Sequence, residues 1–344
     1  IITWNAMSYL TAIKDYRGIL LSFASAIIVT FAVGWILLMF GIAHVEALLI
    51  AVCTGYGIML LWDVVLLYQY FPQGTESAFF FLRWVDEFLP LAFTGLFINI
   101  GMFAHLVIMW CGPVRVRVQG LFYGAPYYDV PALVAFLTIL ITTVNFVVSV
   151  EVNFYPKYKN YYSLFNGRGA IGDIQQAGEE MKKVLNMELK YTALKQLLTT
   201  ALAISVGGSL LKYLPLGFND LMEGYFRTLC VGYGLYAVAN TVLLLLMYFT
   251  DYKGAVCASG IFAGATSVGT VISLFFPKVY YGFGFLIGSA VFFLLAVCRL
   301  DYYTRRLPYY ILSVQPVVEE DRAGVFTRLG CLLDEKLERR LDNE

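Results

Sequence analysis

Charge is scarce in this chain. Asp, Glu, Lys and Arg make up 14% of its 344 residues, and 24 basic side chains are balanced by 24 acidic ones. That balance offers no basic excess for a nucleic acid, so this class of partner is set aside. Histidine occurs only twice, and the six cysteines (Cys53, Cys111, Cys230, Cys257, Cys298, Cys331) form no CxxC pair. No metal constellation follows from such spacing. Five of the cysteines lie in or beside apolar stretches, so buried, reduced thiols are expected. The Gly-Lys-Ser/Thr step of a phosphate-binding loop is missing. Gly232-x-Gly234-x-x-Ala237 has the spacing of a dinucleotide fingerprint, but it lies inside an apolar run with no strand ahead of it. No Asp-x-Asp pair offers a metal site for a sugar nucleotide. Arg83-Trp84 departs from the QxxRW motif of processive glycosyltransferases, because Phe80 stands where Gln belongs. The expectation is a protein that is not an enzyme and carries no cofactor and no metal.

What the chain does have is apolar length. Hydrophobic residues make up 60% of it, and its mean hydropathy is +0.71. A membrane-spanning helix needs about 20 apolar residues. Eight runs approach or reach that length: Gly18–Phe40, Ala47–Tyr68, Phe88–Trp110, Val130–Val150, Tyr191–Leu211, Tyr225–Tyr248, Gly254–Phe276 and Tyr280–Cys298. They are continuous, not alternating over about ten residues, so they read as helices and not as barrel strands. The expected fold is an all-α polytopic membrane protein with about eight transmembrane helices.

Basic residues orient it. With both ends in the cytoplasm, nineteen of the 24 Lys and Arg fall on the inner face, leaving Arg115, Arg117, Lys212, Arg227 and Lys278 outside. A chain that opens on Ile1 reads as one whose start has been lost. No signal-peptide pattern precedes the first run.

The stretch 151–190 is the longest polar interval and is expected in the cytoplasm. It opens with aromatic and basic residues, including Tyr155, Lys157 and Tyr158, and breaks at Gly167-Arg168-Gly169. From Asp173 to Lys190 apolar residues recur at helical spacing, with Asp173 as the expected N-cap. Two readings stand: an amphipathic helix on the membrane face, or a helix that extends the next span into water. Tyr155, Lys157, Tyr158 and Arg168 are candidates for a cytoplasmic interaction. A second amphipathic helix is marked by Val325, Leu329, Leu332, Leu333, Leu337 and Leu341. Gly260 with Gly264 and Gly284 with Gly288 have the four-residue spacing that lets helices approach closely.

Chemistry is sought among polar residues inside apolar runs. Asp63 is a functional candidate, because a carboxylate in the bilayer costs a few kcal/mol unless paired or wet. The alternative is that it meets headgroup water near the helix end. Asn99 and His105, six residues apart, are expected on one broad face, and Asn145 with Glu151 share that spacing. Asn240 adds a polar point on the sixth run. Dispersed polar groups of this kind suit a translocation path for a hydroxyl-rich substrate better than a catalytic centre.

Three stretches carry a resemblance. They are Pro90-Leu-Ala-Phe-Thr-Gly95-Leu-Phe-Ile-Asn99-Ile-Gly101 through His105 to Pro113; Tyr127-Tyr128-Asp129-Val130-Pro131-Ala132; and Glu151-Val-Asn153-Phe154-Tyr155-Pro-Lys157-Tyr158 with Tyr161-Tyr162. Asp251-Tyr252-Lys253-Gly254 and Tyr280-Tyr281-Gly282-Phe-Gly284-Phe add to them. Over essentially its whole length the chain resembles PelG, the Pel exopolysaccharide exporter family of the multidrug/oligosaccharidyl-lipid/polysaccharide (MOP) flippase superfamily. The resemblance implies two six-helix lobes around a central cavity. Residues 1–78 would then be the last two helices of the N-terminal lobe, 79–300 the six-helix C-terminal lobe, and 301–344 a cytoplasmic tail. It implies a bacterial inner-membrane exporter of an exopolysaccharide or its lipid-linked precursor, surrounded by membrane lipid. A cytosolic glycosyltransferase and cyclic di-GMP-sensing membrane subunits would be its partners. For a cationic polymer, Asp63 and Glu151 would act as electrostatic guides. Competing readings are a lipid-linked oligosaccharide flippase or multidrug exporter of the same superfamily, and a non-transporting scaffold for a polysaccharide synthase.

Overall fold

The computed structural model describes residues 2–71, 79–167, 169–213, 217–314 and 324–341. In chain order the elements are α1 (Ile2–Ala12), α2 (Tyr16–Met39), α3 (His44–Tyr70), α4 (Leu82–Cys111), β1 (Val116–Gln119), β2 (Phe122–Gly124), α5 (Pro126–Leu137) and α6 (Leu140–Val147). A π-helical turn, Val148–Phe154, leads into α7 (Tyr155–Asn166) and α8 (Ile171–Leu202). A second π-turn, Ala203–Gly207, joins α8 to α9 (Gly208–Tyr213). Then come α10 (Asp220–Tyr248), α11 (Tyr252–Ser273), a 3-10 turn (Lys278–Tyr280), α12 (Phe283–Arg305), α13 (Leu307–Val314) and α14 (Val325–Leu341).

Among the described residues, seven helical stretches are long and apolar enough to cross a membrane: Tyr16–Met39, His44–Tyr70, Leu82–Cys111, Pro126–Phe146, Asp220–Tyr248, Tyr252–Ser273 and Lys278–Arg305. The chain is an all-α polytopic membrane protein, with β1 and β2 as a small antiparallel hairpin between two of these stretches. The eighth expected span, Tyr191–Leu211, differs from the rest. It is helical, but it is divided between the end of α8, a π-turn and α9, and it follows the polar first half of α8 without a break. The described residues of 151–190 thus form the end of the π-turn, α7 and the first half of α8, and the polar stretch from Ile171 to Lys190 extends the next helix and is not a separate surface helix. Asp173 is not the N-cap either. Ala170 holds that position and Asp173 lies in the first turn, where a carboxylate still meets the positive end of the helix dipole.

The chain forms two compact units, Ile1–Arg83 with Gly324–Glu344, and Trp84–Ala323. The second is built around α10, which is buried on nearly all sides, as expected of a helix apolar all round. Tyr128, Tyr225, Phe226, Phe262, Phe285 and Phe292 fill the space between α5, α10, α11 and α12. Gly284 and Gly288 seat α12 directly on α11: a Cβ on Gly284 would lie 2.3 Å from the Thr270 nitrogen, and one on Gly288 2.2 Å from Thr266 Oγ1. Gly260 instead faces Phe97, and Gly264 faces open space. All six cysteines are free, but only Cys230 is buried. The other five are exposed on the outer faces of their helices.

One local device occurs twice. Asp15 caps α2 by accepting from the Gly18 N–H at 3.0 Å, and Asp251 caps α11 by accepting from Gly254 at 3.2 Å. Each is preceded by a residue at φ 62°, Lys14 or Thr250. Each glycine is required, because a Cβ would fall 2.4 Å and 2.1 Å from Oδ2, the other oxygen of the capping carboxylate. The following helix packs the same way in both places. Gly55 of α3 lies against Thr30 of α2, and Gly288 of α12 lies against Thr266 of α11. Near the far end, Tyr70 donates to Asp15 Oδ2 at 3.0 Å, and Tyr303 donates to the Phe249 carbonyl at 3.0 Å. The α2–α3 and α11–α12 hairpins are thus internal repeats, signalled in the sequence by Asp15-Tyr-Arg-Gly18 and Asp251-Tyr-Lys-Gly254.

Candidate functional site

The polar residues that chance alone would not align lie between α6 with its π-turn and the antiparallel α8. Thr142 donates to Gln196 Oε1, and Gln196 Nε2 donates to Thr200 at 3.1 Å. One turn on, Asn145 donates to Thr192 Oγ1 at 2.9 Å and accepts from Lys195. Next, Ser149 and Asn153 donate to the two oxygens of Glu188, at 2.6 Å and 2.8 Å. The line ends at Lys157, whose ammonium lies 2.9 Å from Glu180. A seam of hydroxyl, amide and charged groups therefore runs between α6 with α7 on one side and α8 on the other, buried at Thr142, Ser149, Thr192, Gln196 and Thr200 and open to solvent at Asn153, Lys157, Glu180 and Lys195. The buried members need their partners satisfied, and here each buried donor has one. Of the seam, sequence reasoning singled out Asn145 and Lys157 but missed Thr142, Ser149, Glu188, Thr192, Gln196 and Thr200. The available signal was the four-residue spacing of Glu188, Thr192, Gln196 and Thr200 on α8.

Two openings border the seam. A cleft of about 200 Å³ is lined by Phe136, Thr142, Thr143, Phe146, Tyr236 and Asn240, among others. Its aromatic faces and amide are the groups that stack on and hydrogen-bond to sugar rings. On the other side of Gln196 and Thr200, an apolar groove of about 410 Å³ is walled by α8, α10 and Phe293 of α12. A void of about 10 Å³ beside Ser149, Glu188 and Thr192 is the size of one water.

The remaining candidates are dispersed. Asn99 is exposed on α4 and donates back to the Gly95 carbonyl at 2.8 Å. His105 is fully buried: Nδ1 is 2.9 Å from the Tyr128 hydroxyl, Nε2 is 3.3 Å from that of Tyr233, and the Phe285 ring centroid is 4.4 Å away. The two do not share a face. Six positions rotate a helix by about 240° net, so the expected pairing fails on geometry. Asp63 lies in the first unit and is completely buried, two turns from the end of α3, so it does not meet headgroup water. Glu151 belongs to the first π-turn, and its side chain lies outside the described residues, as does Arg168.

On α7, Tyr158 donates to the Tyr248 carbonyl at 3.1 Å and packs on Tyr162 with ring centroids 4.3 Å apart. Tyr155 stacks on Tyr158. Burial pushes the Tyr158 and Tyr162 phenols up from their ordinary range. The Lys157 hydrogen bond, with help from Gln176, holds the Glu180 carboxyl below its own. These residues fasten α7 to its neighbours, and what they leave for a partner is the solvent-facing side of α7, including Lys159. Among the described residues, no group of three or more His, Cys, Asp or Glu is placed to hold a metal.

Seven long apolar helical stretches among the described residues, with a polar seam beside them, define the class as a polytopic membrane protein. The model of one family, described as "PelG: Putative exopolysaccharide Exporter (EPS-E)", matches residues 1–312. The chain belongs to that family of exopolysaccharide exporters. No curated protein and no solved structure matches it.

Proposed function

We propose that the protein carries an exopolysaccharide, or its lipid-linked precursor, outward across the bacterial inner membrane, along the seam of α6 and α8. The observation that carries this reading is the run from Thr142 to Lys157 facing Thr200 to Glu180, which places hydroxyls and amides beside an aromatic cleft. A sugar chain offers the matching partners: hydroxyls for Asn240 and the threonines, and ring faces for Tyr236, Phe136 and Phe146. The repeated hairpin supports the two-lobe arrangement, with residues 1–78 closing one lobe and 79–300 forming the other, since each unit then ends in the same capped helix pair. Both chain ends would lie in the cytoplasm. The outer side of α7 and the apolar side of α14 would receive a cytosolic glycosyltransferase and cyclic di-GMP-sensing membrane subunits.

The test is secretion of polymer by cells carrying full-length Asn240→Leu or Tyr236→Ala at matched membrane levels. At least a tenfold loss is expected, with recruitment of the synthase intact. Wild-type secretion by both variants would sink the path. Loss of synthase recruitment with glycan flux intact in reconstituted vesicles would identify a scaffold instead.

A further inference from the structure

The two copies of the hairpin differ in where they place charge. Asp15 on Asp251 and Thr30 on Thr266 set one offset for the first helix of each pair; Gly55 on Gly288 and Tyr70 on Tyr303 set another for the second, three residues smaller because the α2–α3 connection is three residues longer. In that register Leu66 occupies the position of Arg299, and the side chains confirm it: Leu66 Cδ1 lies over Gly18 as Arg299 Nε lies over Gly254. One turn earlier, Asp63 occupies the position of Ala296, which is fully buried in its own unit. The first hairpin therefore lacks the arginine of the second and has gained an acid in its interior.

Among the described residues, nothing balances that acid. Asp63 has no accessible surface, and neither of its oxygens has a hydrogen-bond partner. Ser22 of α2 is beside it, but the Ser22 hydroxyl donates to the Ile19 carbonyl at 3.0 Å. Among the described residues, the helices packed against α3, α1 and α2, bring no counter-charge to it. α1 buries Ala6 and Leu10, contains no charged residue between Ile2 and Ala12, and keeps its one titratable side chain, Tyr9, exposed. α2 buries Gly18, Ser22 and Ala26; its Arg17 is exposed and the Asp15 carboxylate serves as the cap. On α3 itself, His44 and Glu46 stand at the opposite end. An ionised carboxylate with no partner in such a place carries a desolvation cost that nothing repays, and such a group takes up a proton instead.

We propose that Asp63 is a proton-binding site that couples export to proton movement: the packed α2–α3 hairpin holds the carboxyl protonated, and the proton leaves when the hairpin opens to water. Its use in transport rests on the export reading above; the bound proton does not. A membrane carboxyl that exchanges a proton between two conformations gives each one a different charge, which is the differential interaction that a coupled transport cycle needs.

Infrared difference spectra of the full-length protein in lipid vesicles, recorded from mildly acidic to mildly alkaline pH, read the proton directly. A carboxylic-acid carbonyl band that shifts in heavy water, disappears in Asp63→Asn and moves in Asp63→Glu is expected. A carboxylate that stays ionised across the range would overturn the proposal. Should Asp63→Asn fail to reach the membrane, the wild-type band and its displacement in Asp63→Glu decide the matter. In cells, Asp63→Asn at matched membrane level should lower secreted polymer at least tenfold, while Asp63→Glu should export with an altered pH dependence. Wild-type export by Asp63→Asn would overturn coupling. If the wild-type protein moves no glycan while the band is present, the export reading fails and the proton site stands.

Discussion

Arg299 of α12 reaches back to Asp251 at the start of α11, placing Nε 2.5 Å and Nη2 2.7 Å from the two carboxylate oxygens. The same Asp251 caps α11, and the guanidinium also lies over the rings of Tyr302 and Tyr303. The pair closes one end of the helix hairpin with a two-pronged, charge-assisted contact.

Removing the arginine leaves a nearly buried carboxylate without its counter-ion. Arg299→Ala is expected to cost about 3 kcal/mol, read as a lowered melting temperature in detergent and reduced membrane abundance. Arg299→Lys keeps the charge but loses the fork, so an intermediate loss is expected. Tyr70→Phe, which removes the exposed hydroxyl contact to Asp15 in the other hairpin, should be milder than either.

Glycine spacing separates two positions that look alike in sequence. Gly284→Ala pushes a methyl into the backbone of Gly269 and Thr270 and forces α11 and α12 apart, an overpacking cost of about 3 kcal/mol or more. Gly264→Ala points into open space and should leave melting unchanged. Equal losses at the two sites would contradict the packing.

In the seam, Gln196→Leu leaves the Thr142 and Thr200 hydroxyls without their shared partner. An unmet buried polar group costs about 1–3 kcal/mol. The double variant Thr142→Val with Gln196→Leu should cost less than the sum of its parts, because the two groups satisfy each other. Additive losses in a thermal double-mutant cycle would show that they do not interact.

The Lys157–Glu180 contact sets a pH dependence. The folded carboxyl sits below its ordinary value of about 4.3, so its contribution is complete above that value and is lost as pH falls through the lower, folded one. Both side chains are half-exposed, so the effect is small. Amide exchange in α7 should quicken only in acid, and Lys157→Gln should remove that dependence. A quickening near neutral pH would point to a different group.

The spans were legible because continuous apolar length has few alternatives to a membrane helix. The family was legible because motifs such as Tyr127-Tyr128-Asp129 and Asp251-Tyr-Lys-Gly254 survive as short strings. The seam was not, because Thr142, Ser149, Thr192 and Thr200 are compatible with any helix, and only tertiary pairing of α6 with α8 gives them meaning. Asn99 and His105 show the converse. Their spacing suggested one face, but six residues do not return a helix to the same side, and one faces outward while the other is locked among tyrosines. The split span at Tyr191–Leu211 was hidden because hydropathy does not register a π-turn.

That π-turn and its earlier counterpart at Val148–Phe154 have a mechanical consequence. Steps of four residues overshoot an α-helical turn by about 0.4 residue, so a stripe such as Asn145, Ser149, Asn153 and Lys157 would creep around its helix and leave its partner. A π-turn is wider and creeps the other way. Inserting one midway works as a vernier: it resets the phase and keeps four rungs aimed at a single neighbour. A variant that shortened Val148–Phe154 by one residue would keep the helix and its hydropathy, but would rotate the rung beyond it, Lys157, by about 100° away from Glu180.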